Sequence, residues 1–327
     1  MATRSWLRSL RYDPLPPLLA ADNPGLEYLA RRDLLGEEVP PPEEVWNRPQ
    51  VERLLRRQLP NGAWPYPGGG KPHLRSSEDY DQIETYRVLG ELVEQYAATR
   101  ALPPIRAAAE FLFSHQTPEG DFRGIYSNQY SPNYTAGIME LLIKAGYAAD
   151  RRIKQGFRWL LSARQADGGW AIPFRTRGLK LDIFAQPTKT VEPDRARPHS
   201  HLVTGVVLRA FAAHPDLRHS EAALKGAKIL TARLFSKDAY PDRGTPDYWT
   251  RFSYPFWFTD LVSALDSISW IAPSIKEPQI QISLDWLAGR QRPGGTWDLS
   301  LLRSGKGKQV ALWVGLAICR VFKRFYS

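Results

Sequence analysis

An all-α fold, built as an array of paired helices with alternating inner and outer members, is what this sequence predicts. The first observation is a recurring phrase in which a helix ends in Gln, a Gly turn follows, and an aromatic residue closes the unit. Its copies read QLPNGAW (58–64), QTPEGDF (116–122), QADGGW (165–170) and QRPGGTW (291–297). Their Gln residues lie 58, 49 and 126 apart, 126 is twice 63, and a degenerate copy, ARLFSKDAY (232–240), stands where the missing one belongs. A fixed period of this length marks one supersecondary unit repeated along the chain. The second observation is helical periodicity between the phrases, with little strand alternation. The third is a strong asymmetry of the loops, short after each inner helix and long after each outer one.

The elements follow in order. GLEYLARRDLLG (25–36) and PEEVWNRPQVERLLRRQ (42–58) form a first pair, and YDQIETYRVLGELVEQYAA (80–98) is the next inner helix. The second outer helix, PPIRAAAEFLFSHQ (103–116), carries Ile105, Ala108, Ala109, Leu112 and Phe113 on one stripe. Inner helix 134–147 and outer helix RRIKQGFRWLLSARQ (151–165) come next, the latter with Ile153, Phe157, Leu160 and Leu161 at i, i+4, i+7, i+8. HLVTGVVLRAFAAH (201–214), 258–272 and 309–325 complete the inner set, with PQIQISLDWLAGRQ (278–291) outside. About eleven helices result. Gly137, Gly205, Ala264 and Gly315 punctuate the apolar inner helices, either for close approach or to leave room for a ligand. Trp64, Trp170 and Trp297 are expected to wedge between neighbouring units.

The long outer-to-inner loops (64–78, 122–133, 170–200, 235–257 and 297–308) all fall at one end of such an array, together with the N-termini of the inner helices. Long loops in a compact domain commonly carry function. That mouth is therefore the elaborated end, and the other is merely closed. Its loops hold more cations than acids, among them Arg123, Arg175, Arg177, Arg251, Arg303 and Lys306, which with helix N-termini suits an anionic head group. Segment 171–199 is long enough to rim or cover the mouth as a lid.

Composition bounds the rest. The 327 residues are 43% hydrophobic and 24% charged, with 44 Lys and Arg against 34 Asp and Glu, a net charge of +10 and a pI near 9.7. One domain sharing a single core is expected over 1–327, with 1–21 as an N-terminal extension. The lone Cys319 excludes an internal disulfide and suits a reducing compartment. Its apolar run, VALWVGLAIC (310–319), is half the roughly twenty residues that span a bilayer. The N-terminus has no continuous apolar stretch of a secretory signal, so a cytoplasmic location is expected.

The Gln-x3-Gly-x-Trp phrase after an outer helix resembles the QW repeat of the squalene/oxidosqualene cyclase and protein prenyltransferase superfamily, over about 40–325. That resemblance implies an (α/α)6 toroid around a central cavity, with the Gln capping a neighbouring helix end and the ring stacking between units. It does not imply activity, because the repeat is a brace. The cyclase acid motif D-x-D-D is matched only by Asp79-Tyr80-Asp81, followed by Gln82. An adjacent carboxylate pair can hold a proton on one member, which makes Asp79 and Asp81 the candidate catalytic acids; equally, both suit the N-terminal turn of an inner helix. The zinc set of the prenyltransferases and the two-Cys site of lanthionine cyclases have no counterpart, and neither does a D-D-x-x-D motif. No metal and no cofactor are expected.

Candidate ligand-binding residues are Tyr134, His201, Trp257 and Asp260, from the first turns of inner helices or just before them, and Trp313 on the last inner helix. Trp249, Phe252, Tyr254, Phe256, Trp257 and Phe258 crowd into ten residues, either to line a site for an apolar chain and stabilise cations or simply to fill a core. The expected partner is an isoprenoid or similar amphiphile, with peripheral association to an anionic membrane as an extension of the basic charge. The chain is then a non-standard cyclase or a non-catalytic lipid- or prenyl-binding scaffold. Nucleic acid ranks last, since the cations are scattered over separate loops and no nucleic-acid motif occurs.

Overall fold

A computed structural model describes residues 5–68, 70, 71, 73, 75–185, 189–302 and 307–327, excepting the side chains of 184, 185, 243, 307 and 308. Eleven α-helices of seven or more residues occur among these residues. They are α1 (Pro24–Ala30), α2 (Pro49–Leu55), α3 (Ser77–Tyr96), α4 (Pro103–Ser114), α5 (Pro132–Leu142) and α6 (Arg151–Ser162), then α7 (His201–Ala213), α8 (Glu221–Thr231), α9 (Leu261–Ile271), α10 (Pro278–Gly289) and α11 (Gly307–Tyr326). Strand is confined to Arg251–Phe252 paired in parallel with Ser300–Leu301. The fold is all-α.

Helices α1, α3, α5, α7, α9 and α11 form the inner layer. Each packs on the next, and α11 returns to α1, so the ring closes. Outside it, α2 and α4 lie on α3, α6 on α5, and α8 on α7 and α9. The N-terminal turns Ser5–Ser9 and Leu15–Leu19 pack on α11, burying Trp6 and Leu18. The segment expected as an extension thus covers the ring where α11 meets α1. Helix α8 fills the slot of the degenerate repeat. The first outer element breaks in two, Glu43–Trp46 and α2, because Pro49 lacks an N–H and restarts the helix at its first turn.

The Gln–Gly–Trp phrases are braces with repeated geometry. Gln58 Nε2 donates to Gly62 O at 2.9 Å and to Pro104 O, at the start of α4, at 2.8 Å. Gln116 does the same to Gly120 O and to Arg152 O, at the start of α6, both at 2.9 Å. Gln165 ties down Asp194 O and Arg197 O, and Gln291 exchanges hydrogen bonds with both the N–H and the carbonyl of Tyr12. Gln58 and Gln116 thereby tie their units to the next outer helix, Gln165 to the loop before α7, and Gln291 to the N-terminal segment. The indole N–H groups of Trp64, Trp170 and Trp297 donate to Leu54, Leu160 and Leu287, always ten residues back. The backbone N–H of Trp64, Phe122 and Trp170 donates to Thr85, Thr135 and Thr204, one on each following inner helix. All three Trp rings are buried between units.

The inner glycines make room for the protein's own side chains. A Cβ on Gly137 would stand 2.5 Å from the Tyr86 hydroxyl, and one on Gly205 2.4 Å from the Thr259 side chain. Close approach, not ligand space, is their role.

Candidate functional site

The interior of the ring is divided by the segment Phe252–Phe258, which descends from the mouth between α3, α5 and α11. Tyr254 reaches deepest. Its hydroxyl donates to Glu94 O at 3.2 Å and accepts from Arg320 Nη1 at 3.2 Å, and its ring stacks on Trp313 at 5.5 Å. Pro255 packs against Gly90 of α3. Trp257 lies 4.9 Å from Tyr86 and 6.4 Å from Tyr134, ring centre to ring centre. The segment is anchored at its C-terminal end by Asp260, the N-cap of α9, whose carboxylate accepts from Ser263 N at 2.8 Å. Burial pushes the Asp260 carboxyl up to about 7, against the lowering effect of the hydrogen bonds from Ser263 and Ser253.

On the mouth side of this segment a cavity of about 1400 Å³ opens between α1, α2, α3 and α11. One wall is aromatic, with Tyr86, Phe256, Trp257, Phe258 and Trp313. Charged residues complete the lining, among them Arg57, Glu84, Arg87 and Glu91. Glu84 is buried and held by Arg87 at 2.6 Å and Arg57 at 3.6 Å.

On the other side of the segment a second chamber, of about 670 Å³, lies where the inner helices end. Buried and half-buried ion pairs cross it. Lys144 bridges Glu94 at 2.5 Å and Glu140 at 2.8 Å, and Glu140 also takes Arg209 Nε at 2.7 Å. Arg209 Nη2 lies 3.3 Å from the Tyr86 hydroxyl, linking the chamber to the aromatic wall. Arg320 pairs with Asp33 at 2.5 Å, and Arg324 with Asp266. Burial opposes the Lys144 charge, but Glu140 and Glu94 more than offset it and hold the ammonium above its ordinary range. The same balance with Glu140 raises Arg209. Glu94, Glu140, Tyr254 and Phe256 line both spaces.

The residues singled out from sequence fall into three groups. Trp257 and Trp313 line the larger cavity, Tyr134 packs on Trp257, and Asp260 anchors the same segment. His201 stands apart, stacked with Tyr248 and Trp249, its Nε2 3.2 Å from Ser236 O and 3.7 Å from Asp238. Burial lowers its imidazole from the usual range despite Asp238. Asp79 forms a capping box with Ser76, accepting from its N–H at 3.2 Å. Asp81 accepts from Tyr66 N at 2.8 Å, and Tyr66 lines the larger cavity. Neither Asp79 nor Asp81 lines the cavity itself, while Gln82, in the place of the next acid, is buried against Gly124.

Part of the charge at the mouth is already partnered. Four of the rim cations pair with rim acids: Arg123 with Asp121, Arg175 with Asp242, Arg177 with Asp194 and Arg251 with Asp247; Arg303 and Lys306 lie outside the described residues. Four inner helices also start on their own caps, Ser76, Ser131, Ser200 and Asp260, each of which takes one of the N–H groups of its first turn. The end expected to be merely closed holds the buried charge instead. A sequence signal for it existed: Glu140, Arg209, Asp266 and Arg320 each interrupt an otherwise apolar inner helix. Among the described residues no three His, Cys, Asp or Glu side chains converge as metal ligands would, and no helix is long and apolar enough to cross a membrane.

No family model and no curated protein matches this chain. Solved structures that resemble it include a protein from Actinoplanes, 16% identical over 88% of each chain with a TM-score of 0.40. A variant of the type II terpene cyclase MstE from Scytonema without ligand is 12% identical over 86% of this chain and 81% of that one, with a TM-score of 0.40. Another MstE variant, in complex with geranylgeranyl dihydroxybenzoate, is 13% identical over 87% and 97%, with a TM-score of 0.34. At this identity and these TM-scores neither residues nor chemistry are carried over from them.

Proposed function

We propose that this protein is a squalene-cyclase-like or prenyltransferase-like toroid that binds an isoprenoid or similar long amphiphile in the larger cavity. The observation that carries this reading is the two-faced wall. Rings of Tyr86, Phe256, Trp257, Phe258 and Trp313 face the apolar chain, and the charged wall of Arg57, Glu84 and Arg87 faces the polar end. Small-molecule sites occupy roughly 300–1000 Å³ and are mostly apolar with a few placed polar groups; at about 1400 Å³ this cavity suits a longer chain. The single Cys319, buried and free, fits a reducing cytoplasmic setting. Segment 171–199, whose Thr190 and Val191 hydrogen-bond to Arg123 and Gln129, is proposed to act as a lid on the mouth.

Titration with farnesol or geranylgeraniol tests the reading. Saturable quenching of tryptophan fluorescence is expected, with a rise in melting temperature, and both should weaken in Trp257→Leu. A wild-type protein that shows neither signal refutes it.

The second reading is proton-initiated cyclisation, with Asp79 or Asp81 as the acid and the aromatic wall stabilising the cation. The hydrogen bond from Tyr66, a cavity residue, to Asp81 supports it. Geranylgeranyl substrates should then give cyclic products that Asp81→Asn abolishes while the fold persists. Binding without turnover leaves the scaffold reading.

A further inference from the structure

We infer that the chamber at the closed end of the ring is an anion site, built for a phosphate or diphosphate group. Seven Lys and Arg side chains line it against four Asp and Glu. Those carboxylates are already committed: Glu94 and Glu140 to Lys144, Glu140 also to Arg209, Asp33 to Arg320 and Asp266 to Arg324. The cations are not used up. Arg209 is 3% exposed, yet its Nη1 has no hydrogen-bond partner among the described residues. Arg218 has a buried Nε in the same condition and, among the described residues, no carboxylate within ion-pair distance, while its guanidinium lies 4.7 Å over the Trp270 ring. A buried N–H of a charged group left without an acceptor is costly, so two of them on one chamber point to an acceptor that completes the set.

The structural alternative is that the cations only answer the partial negative charge of the inner-helix C-termini. That accounts for part of the surplus, but helix dipoles supply no acceptor to Arg209 Nη1. Guanidinium groups select planar or tetrahedral oxyanions through paired hydrogen bonds. The chamber opens beside the exposed Arg32, which admits a free anion. It also meets the aromatic cavity at Tyr254 and Phe256, which admits the head group of a chain lying beyond them. The shared chemistry is the phosphate, and the inference does not depend on the amphiphile reading.

Calorimetry and thermal shift at low salt with inorganic phosphate, inorganic diphosphate, farnesyl diphosphate and farnesol test the site. Inorganic diphosphate is expected to bind saturably and to weaken with salt. Arg218→Gln, on a half-buried side chain, should weaken it about tenfold, the loss expected of one charge-assisted hydrogen bond. The pair Glu140→Gln with Arg209→Gln, which removes both charges together and so leaves no orphan, should abolish binding. Diphosphate binding places a free anion in the chamber; binding of farnesyl diphosphate alone, sensitive to Arg218→Gln, places a lipid head group there. The inference is overturned if none of the three phosphates binds, or if Arg218→Gln binds them as the wild type does. Farnesol, which has no phosphate, reports the aromatic cavity separately: its binding with no phosphate effect sinks the anion site alone, and the reverse sinks the amphiphile reading alone.

Discussion

Replacing Asp260 by Asn should change the pH dependence of stability more than the stability itself. Asn accepts the same helix-capping hydrogen bond from Ser263 N and is as good an N-cap as Asp, so the packing of α9 and of the Phe252–Phe258 segment is kept. What disappears is a carboxyl that titrates. In the folded chain burial raises it to about 7, against 3.8 for an ordinary Asp. Below pH 4 the group is neutral both folded and unfolded, and it contributes no difference. As pH rises, the unfolded chain loses the proton first, so the folded state binds more protons and stability falls until the folded group ionises as well. Stability from the neutral carboxyl is thus present at low pH and lost as pH rises through 7. About 3 pH units at roughly 1.4 kcal/mol each give a loss of about 4 kcal/mol between pH 4 and pH 8. Urea denaturation of wild type and variant across that range isolates the effect, since all other titrating groups cancel in the difference. The variant should gain on the wild type by a few kcal/mol as pH rises. A gap that stays within about 0.5 kcal/mol of constant refutes the assignment of a neutral, desolvated Asp260.

Two further outcomes are expected. Gln116→Ala removes the hydrogen bonds to Gly120 O and Arg152 O and should cost about 1–3 kcal/mol in denaturant unfolding, with Gln58→Ala costing a similar amount; no change in either would show that the phrase is not a brace. Glu140→Gln leaves Arg209 as a buried charge short of its carboxylate, while Lys144 keeps Glu94, and should cost about 3–5 kcal/mol. Adding Arg209→Met should recover much of that loss, and a double variant as unstable as the single one would deny the coupling.

The helical array was legible because its signals are local. The Gln-to-aromatic phrase, the apolar stripes and the Pro at helix starts each act within one or two turns, and the observed α4, α6, α7 and α10 begin where periodicity put them. The starts moved by two or three residues where local chemistry decided: Ser76 and Ser131, not the first apolar residue, cap α3 and α5. The pairings at the rim were not legible for a physical reason. Counting cations on loops ignores the acids that neighbouring loops bring to them, such as Asp242 to Arg175, 67 residues apart.

The ion pairs of the closed end were beyond reach for the same reason, and more so. Each charged residue on an inner helix was visible as an interruption of an apolar run, yet its partner was not: Glu140 meets Arg209 across 69 residues, and Asp33 meets Arg320 across 287. Only closing the ring brings such residues together, and desolvation then makes pairing compulsory. The aromatic run before α9 posed the choice between cavity wall and core filler, and the fold resolves it by using one segment for both. Tyr254 and Pro255 fill the middle of the ring, while Trp257 and Phe258 face the space that is left. A toroid whose centre is partly occupied by its own chain has two chambers instead of one, and they meet at Glu94, Glu140, Tyr254 and Phe256.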